Sequence, residues 1–317
     1  MSRQKWFKPL LIILGLIIVA LFLTALISGP LGNLFGSTGF SWLKGAKPTI
    51  DISPQEIFNI MGWPITNTMI AAWLTIVVLV TLAYFATRRL KSVPSGLQAV
   101  FEFVIDSLLK FCQSIAGEEK GRRFLPLIAT IFLFIIMNAW LSLVPGFYSI
   151  TVTRNGGEAI QLLRDANVDI NFALALAIVS FIAIEYFSFK AHGVAHYLTD
   201  FLNAGEFIAN VRKLIRGDFS SAIKGLTLGI VYIFIGILEF VSKIIRIASF
   251  TFRLFGNMLA GEILILITIF LVPWIFSLPF YGLELLVGFI QALVFGSLTL
   301  VFLTIGVSGH EDEKVTD

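Results

Sequence analysis

Charged and amide side chains interrupt a long apolar segment, residues 238–263. Placing a charge at the centre of a bilayer costs roughly 2.5 to 3.5 kcal/mol on insertion scales, so a chain that keeps several there is expected to use them. Arg253 and its neighbours are therefore the first candidates for function. The polar residues of this segment are Glu239, Lys243, Arg246, Arg253, Asn257 and Glu262.

Most of the polar residues in this segment share one side of a helix. At 100° per residue, a narrow sector contains Glu239, Ser242, Arg246, Ser249, Arg253, Asn257 and Ala260. We call these seven residues the polar stripe. A stripe of this kind within lipid needs water, a polar partner or an opposing charge. Glu262 comes nine residues after Arg253 and therefore points to roughly the opposite side.

A second apolar segment, residues 283–307, carries its own pattern. Glu284 and Gln291 are seven residues apart and share one face of a helix. Small residues at intervals of four, Gly288, Ala292 and Gly296, would let another helix approach closely. Two helices packed in this way are predicted to bring Gln291 near Arg253 and to gather the carboxylates at one end.

The composition indicates that lipid is the main solvent of the chain. Of its 317 residues, 57% are hydrophobic and only 14% are charged, which is about half the charged fraction of an average soluble domain. The net charge of +3 is too small and too scattered to indicate nucleic-acid binding. A single cysteine, Cys112, excludes an intramolecular disulfide.

Apolar runs predict an all-α polytopic membrane protein with about six spans. Residues 95–116 have amphipathic spacing and predict a helix on the membrane surface, with a tilted span as the alternative. Residues 10–27 follow three basic residues and predict an uncleaved first span, with a removed signal peptide as the alternative. The other predicted spans are 67–87, 124–144, 169–189, 226–271 and 283–307.

The predicted connections differ in charge and therefore set the topology. Residues 29–66 read as an external loop with a short helix at 54–61, and residues 118–123 as a charged turn. Basic residues concentrate at the N-terminus and in 88–123 and 190–224, which predicts that these regions and both termini are cytoplasmic. Residues 226–271 are too long for one upright helix, so they must tilt, break or project, forming a long tilted hairpin with 283–307.

The run ASFTFRLFGNMLAGE at 248–262, followed by Glu284 and Gln291, closely resembles subunit a of the F-type rotary ATP synthase. IIMNAWLSLVPG at 135–146 and VDINFALALA at 168–177 extend the resemblance, which covers roughly residues 67–307 in order. Two regions follow: 1–66, with the first span and external loop, and 67–317, the transmembrane domain similar to that subunit.

The resemblance implies that Arg253 faces the ion-binding carboxylate of each passing c subunit. Arginine stays charged, so it attracts an ionised carboxylate without relaying protons and thereby separates two offset half-channels. By resemblance, the outer channel is lined by Asn257, Glu262, Glu284 and Gln291, with Asp169 and Asn171 near its mouth, and the inner one involves Glu239. Family members often have His at one of the positions matching Glu262 and Glu284, whereas this chain has two carboxylates, whose titrations would be coupled.

The implied partners are a c-subunit ring, b-type stalk subunits, the rest of the ATP synthase and the lipid bilayer, in a bacterial inner membrane. No GxxxxGK[ST] phosphate loop occurs in the sequence, so the chain is predicted to be a non-catalytic, proton-translocating component without a cofactor. The alternative function is an autonomous ion-coupled secondary transporter, which would predict internal repeats that the sequence does not display.

Several candidate residues also admit simpler structural roles. Glu262 and Glu284 could cap helices at the interface, Gln291 and Asn257 could join helices, and Arg253 could reach a lipid headgroup. Glu239 could pair with Lys243 or Arg246 on its own helix, and Asp169 could cap the fourth span. His192, His196 and Asp200 have helical spacing but lack the glutamate of HExxH, which disfavours a metal site and leaves a solvated helix.

Overall fold

The computed structural model describes residues 52–153, 159–192, 219–271 and 277–308, and five single residues between 15 and 23. Within these ranges the chain is built from helices joined by short connections. Most of the predicted first span, most of the 190–224 connection and the whole C-terminal tail lie outside the described residues. The six helices are α1 Asn67–Thr87, α2 Leu97–Ala116, α3 Glu118–Ser142, α4 Ile170–His192, α5 Phe219–Leu271 and α6 Leu278–Ser308.

Five of these helices, all except α2, are long and apolar enough to cross a membrane. Together with the helical content this confirms the prediction of an all-α polytopic membrane protein. Large apolar side chains stay exposed along the outer faces, as on α1 at Val77 and Val80. Such surfaces are stable when lipid rather than water surrounds them.

One β-hairpin precedes α1, and a second lies between α3 and α4. Strands β1 (Glu56–Ile60) and β2 (Trp63–Thr66) pair antiparallel, so the predicted short helix at 54–61 is wrong. The two residues between the strands, Met61 and Gly62, both have positive φ, at 50° and 88°, which is the conformation of a type I′ turn. The second hairpin joins β3 (Thr151–Thr153) to β4 (Ala159–Gln161).

The predicted charged turn at 118–123 is also wrong, because helix α3 begins at Glu118. Glu118 and Glu119 occupy the first turn, where negative charge interacts favourably with the helix dipole. The real turn is Gly117, whose φ is 81°. Just beyond it, a Cβ at Gly121 would lie 2.7 Å from the Cα of Gln113, so only glycine allows this close approach of α2 and α3.

Helix α6 lies at the centre of the bundle and contacts α3, α4 and α5. The main core is formed by fully buried residues from these helices, such as Ile135, Leu254 and Ala292. Gly288 and Gly296 of the predicted small-residue face contact Ala139 and Ile128 of α3, so α3 is the helix that approaches closely. Trp140 of α3 strengthens this contact by donating a 3.1 Å hydrogen bond to the carbonyl of Leu285.

Helix α5 is 53 residues long and has no break, so it would extend about 80 Å at 1.5 Å per residue. Its apolar part, Phe234–Leu271, has 38 residues, nearly twice the roughly 20 that an upright span needs. Of the three sequence possibilities, a break is therefore excluded. Tilt and projection beyond the bilayer stay as predictions.

Candidate functional site

Most of the polar stripe, with the half-buried Arg246 as an exception, lies on the side of α5 that faces away from the rest of the described chain. Arg253, Asn257 and Glu239 are all exposed, whereas Leu254 and Met258 on the opposite side are 1% exposed. Apolar residues therefore fix the rotation of the helix by packing into the core. This rotation presents the stripe to whatever surrounds the chain.

Arg253 is exposed and makes one hydrogen bond, from Nη2 to the Ser249 hydroxyl at 3.4 Å. In the described ranges no carboxylate lies within salt-bridge distance of its guanidinium. Gln291 of α6 is buried, at 7% exposure, and its predicted proximity to Arg253 stays a prediction. Arg253 is thus an exposed cation without a carboxylate partner among the described residues.

Glu262 points into the bundle and is paired with an arginine that the sequence analysis did not select. Arg164 donates to it twice, from Nε to Oε1 at 3.1 Å and from Nη2 to Oε2 at 2.9 Å. The two side chains are only 7% and 9% exposed. Arg164 also donates to the carbonyl of Ser53 at 3.2 Å. A bidentate pair of this kind fixes both side chains and keeps their charges matched.

Glu284 of α6 is buried beside α5, with 7% of its surface exposed. Its carboxylate lies directly over Gly261, where any Cβ would overlap it. Its Oε2 is buried and has no hydrogen-bond partner in the structure. A buried carboxyl oxygen without a partner is costly, and such exceptions call for an explanation in terms of water, an ion or a chemical role.

A cavity of about 210 Å³ brings the two glutamates together at the end of α3. Its volume is sufficient for several water molecules, and its polar lining offers them hydrogen bonds. Pro145, Gly146 and Ser149, which are exposed, form the rim of the cavity on the loop side. The polar side chains of the lining are Ser142, Tyr148, Ser149, Gln161, Asp165, Glu262, Tyr281 and Glu284.

Asp165 contributes a third carboxyl group to this cavity and is 4% exposed. Asn138 Nδ2 and the backbone N–H of Asn167 each donate to its Oδ1 at 2.8 Å. Thr75 of α1 donates in turn to Asn138 Oδ1 at 2.9 Å. Burial is the largest cause that raises the pKa of Asp165, to about 7, and the charges of Glu262 and Glu284 act in the same direction. The Asn167 N–H opposes the shift.

Asp169 and Asn171, predicted near the channel mouth, lie outside this cavity. Asp169 accepts a hydrogen bond from the Thr68 hydroxyl at 2.8 Å and another from the Asn171 N–H at 2.9 Å. The second bond is that of a helix N-cap, so the structural role considered for Asp169 is present. Both residues line a separate pocket with Trp73 of α1.

A second charged cluster lies nearer the start of α5. Lys243 Nζ is 3.3 Å from Glu185 of α4 and 3.7 Å from Glu239, so the pairing of Glu239 within its own helix is present. Glu239 is nevertheless 51% exposed, whereas Lys243 and Glu185 are largely buried. The Arg246 guanidinium lies 3.7 Å from the centroid of the Phe302 ring. Lys243 therefore connects this part of α5 to α4, and Arg246 of the polar stripe connects it to α6.

The sequence analysis missed Arg164, Asp165 and Tyr148 as members of the site. The available signal was the adjacent opposite charges of Arg164 and Asp165, five residues before a predicted span. Their burial depends on how the loop folds back over α5, which local spacing does not encode. His196 and Asp200 of the suggested metal pattern lie outside the described residues.

Comparison with known proteins identifies the family. A family model described as ATP synthase A chain matches residues 69–304, about three quarters of the chain. The chain belongs to this family. The matched range agrees with the resemblance derived from the sequence motifs and contains Arg253, Glu262, Glu284 and the cavity residues.

Individual ATP synthase A chain proteins are similar over most of their length. ATP synthase subunit a of a Nitratiruptor species is 30% identical over 248 residues, which cover 78% of this chain and 91% of that protein. The subunit a of Trichlorobacter lovleyi is 34% identical over 237 residues, covering 75% and 85%. That of Gloeobacter violaceus is 33% identical over 247 residues, covering 78% and 85%. The chain is therefore a multi-pass membrane component of an ATP synthase.

Proposed function

We propose that this chain is the proton-translocating stator subunit of an F-type ATP synthase. It provides two offset half-channels to the carboxylates of a c-subunit ring, and Arg253 separates them. The single observation that carries the proposal is that Arg253 is an exposed cation without an ion pair in the described chain, on a helix otherwise apolar enough to span a membrane. An isolated charge at such a place needs an external counter-charge.

The physical role of Arg253 follows from its chemistry. An arginine is protonated under all physiological conditions, so it attracts an ionised carboxylate but does not pass a proton on. A proton is thereby prevented from crossing directly between the half-channels and must travel on the ring. A ring carboxylate that has taken up a proton is neutral and can enter lipid, where a bare charge would be too costly.

The cavity at the end of α3 supports the outer half-channel. It holds Glu262 and Glu284 close to water at an exposed rim, and Glu262 is on the same helix as Arg253. Asn257 lies between Arg253 and Glu262 in the sequence, and its side chain is exposed on the same side of α5 as Arg253. It would therefore meet the ring at the end of the outer half-channel that is nearest to Arg253. Gln291, buried one helix away, would position the surrounding groups.

The inner half-channel is proposed to start near Glu239, because this exposed carboxylate belongs to the same stripe as Arg253. The two lie fourteen residues apart, roughly 21 Å along the helix axis. Asp169 and Asn171 remain predicted residues of the outer mouth, since their pocket also lies at the loop end of α4.

The chain itself is proposed to be non-catalytic, with nucleotide chemistry on partner subunits. Besides the c ring, b-type stalk subunits would hold the stator in place, in a bacterial inner membrane with both termini in the cytoplasm. Moving one proton through the membrane potential releases about 2.3 kcal/mol per 100 mV, so several protons are pooled for each ATP.

Replacing Arg253 with Ala in the whole ATP synthase tests the proposal. Coupled ATP synthesis by membrane vesicles should fall to background, because nothing then stops protons from crossing between the half-channels. Arg122→Ala is a matched control, since Arg122 is also exposed but lies in the first turns of α3. Normal coupled synthesis by the Arg253 variant would refute the mechanism.

A further inference from the structure

Asp165 is a buried carboxyl group that neither the helix pattern nor the family resemblance selected. It belongs to the 3₁₀ turn before α4, where it precedes Ala166–Val168. Its side chain lines the same cavity as Glu262 and Glu284. Three carboxyl groups, from a loop and two helices, therefore share one small space that opens at the rim formed by Pro145, Gly146 and Ser149.

The hydrogen bonds of Asp165 leave one oxygen for proton exchange. Asn138 Nδ2 and the Asn167 N–H both donate to Oδ1. The side chain of Ser142 also hydrogen bonds to Asp165 and opposes the rise of its pKa. Neither of the two donors to Oδ1 uses Oδ2, so Oδ2 is the atom on which proton exchange towards the cavity is proposed. An asparagine would satisfy the same two donors through its amide oxygen, so holding the loop in place does not by itself require an acid here.

The charged groups around Asp165 favour its gaining and losing a proton near neutral pH. Glu262 from α5 and Glu284 from α6 face it across the cavity, and Tyr148 lines the same wall. The neighbouring guanidinium of Arg164 is committed to Glu262 by two hydrogen bonds. Burial and these carboxylates bring the pKa of Asp165 to about 7, near the value at which an acid both accepts and releases protons readily.

We propose that Asp165 is a third proton-carrying group of the outer path, which takes a proton on Oδ2 from water at the rim and passes it through cavity water towards Glu284 and Glu262. Each transfer moves one proton between oxygen atoms and breaks no other bond. The inference rests on the proposed function, since it adds a step to the outer half-channel.

Asp165→Asn tests the step, because it removes the exchangeable acid and keeps the acceptor for Asn138 and Asn167. The whole ATP synthase is reconstituted in liposomes, and ATP synthesis is measured at constant proton-motive force while the pH on the rim side is varied. The wild-type rate should fall as that pH rises through about 7, because ionised Asp165 has no proton to pass. Asp165→Asn should be about tenfold slower below pH 7 and lack this inflection.

The matched control is Asp106→Asn, which also removes one carboxylate but from the exposed ion pair with Lys110 on α2. It should keep the wild-type rate and profile. A wild-type rate and inflection in Asp165→Asn would overturn the inference and leave Asp165 a structural acceptor. If that variant does not assemble, Asp165→Glu decides: a displaced inflection supports the relay, and an unchanged one overturns it.

Arg253→Ala in the same liposomes separates the two proposals. Coupled synthesis by this variant would refute the proposed function and the Asp165 step with it. Loss of synthesis in Arg253→Ala together with a wild-type profile in Asp165→Asn would refute the Asp165 step alone.

Discussion

The buried pair between Arg164 and Glu262 gives the sharpest prediction about stability. Arg164→Gln removes the guanidinium and leaves the Glu262 carboxylate, 9% exposed, without its counter-charge. Removing one partner of a buried ion pair typically costs about 3 to 5 kcal/mol. The variant also loses the hydrogen bond from Nη1 to the Ser53 carbonyl, which is worth about 1 kcal/mol.

The size of this loss should be measurable in the assembled enzyme. A domain is typically stable by only about 5 to 15 kcal/mol, so a loss of about 4 kcal/mol would clearly lower the temperature at which the subunit dissociates or unfolds. Thermal denaturation of the purified complex, followed by the release of this subunit, measures it. Proton pumping by the same preparation, measured before heating, shows whether the variant still transports protons.

A double-mutant cycle with Glu262→Gln isolates the pair. Because the double variant leaves no buried charge unmatched, it should be more stable than Arg164→Gln alone, with a coupling energy of at least about 1 kcal/mol. Arg122→Ala serves again as the exposed control and should change stability by less than about 0.5 kcal/mol. A fully additive cycle, or an Arg164→Gln variant as stable as that control, would refute the reasoning.

Two further predictions concern glycines. Gly261→Ala should displace the Glu284 carboxylate, because the new Cβ would overlap it, and should slow proton-driven ATP synthesis severalfold. The control is Gly282→Ala on α6, whose Cβ would meet no atom within 4 Å and which should leave the rate of synthesis unchanged. Gly288→Val should separate α6 from α3, because even a Cβ at this position would lie 2.9 Å from the Cβ of Ala139. The substitution should lower the stability of the subunit by about 1 to 3 kcal/mol, measured by thermal denaturation. An unchanged denaturation midpoint would contradict the close packing of these helices.

The helices were predictable because lipid imposes a simple rule. Every backbone polar group inside a bilayer must be paired within the chain, so apolar runs of sufficient length become helices. Residues 169–189 were predicted and Ile170–His192 is observed. The polar stripe was equally readable, since helical spacing alone places Arg253 and Asn257 on one side.

The connections were harder to predict, because tertiary contacts decide their structure. Glu118 continues into a helix since Gly117 makes the turn one residue earlier than the charges suggest. The hairpin at 56–66 depends on positive φ at Met61, a conformation that sequence composition does not indicate at a methionine. Arg164 looked like an ordinary loop residue until the fold placed it against Glu262, ninety-eight positions further along the chain.

The small-residue face of α6 illustrates a subtler difference. The spacing of these small residues correctly indicates that another helix approaches closely, but it does not identify which helix. The closest approach is to α3, through Ala139 and Ile128, whereas Met258 of the helix that carries Arg253 lies farther from Gly288. The side chain of Gln291 is buried, and its relation to Arg253 could not be deduced from the pattern alone.

The burial of one side of α5 has a mechanical consequence. A rotor moving past the polar stripe would push the helix sideways at every step, and a lone helix about 80 Å long would bend under such a load. Phe250, Leu254 and Met258 rest on close-packed side chains, and a protein interior of that density is hard to compress. In the proposed function, the core behind Arg253 is expected to resist bending of the helix, so that the force between the ring and the polar stripe turns the ring instead of deforming this subunit.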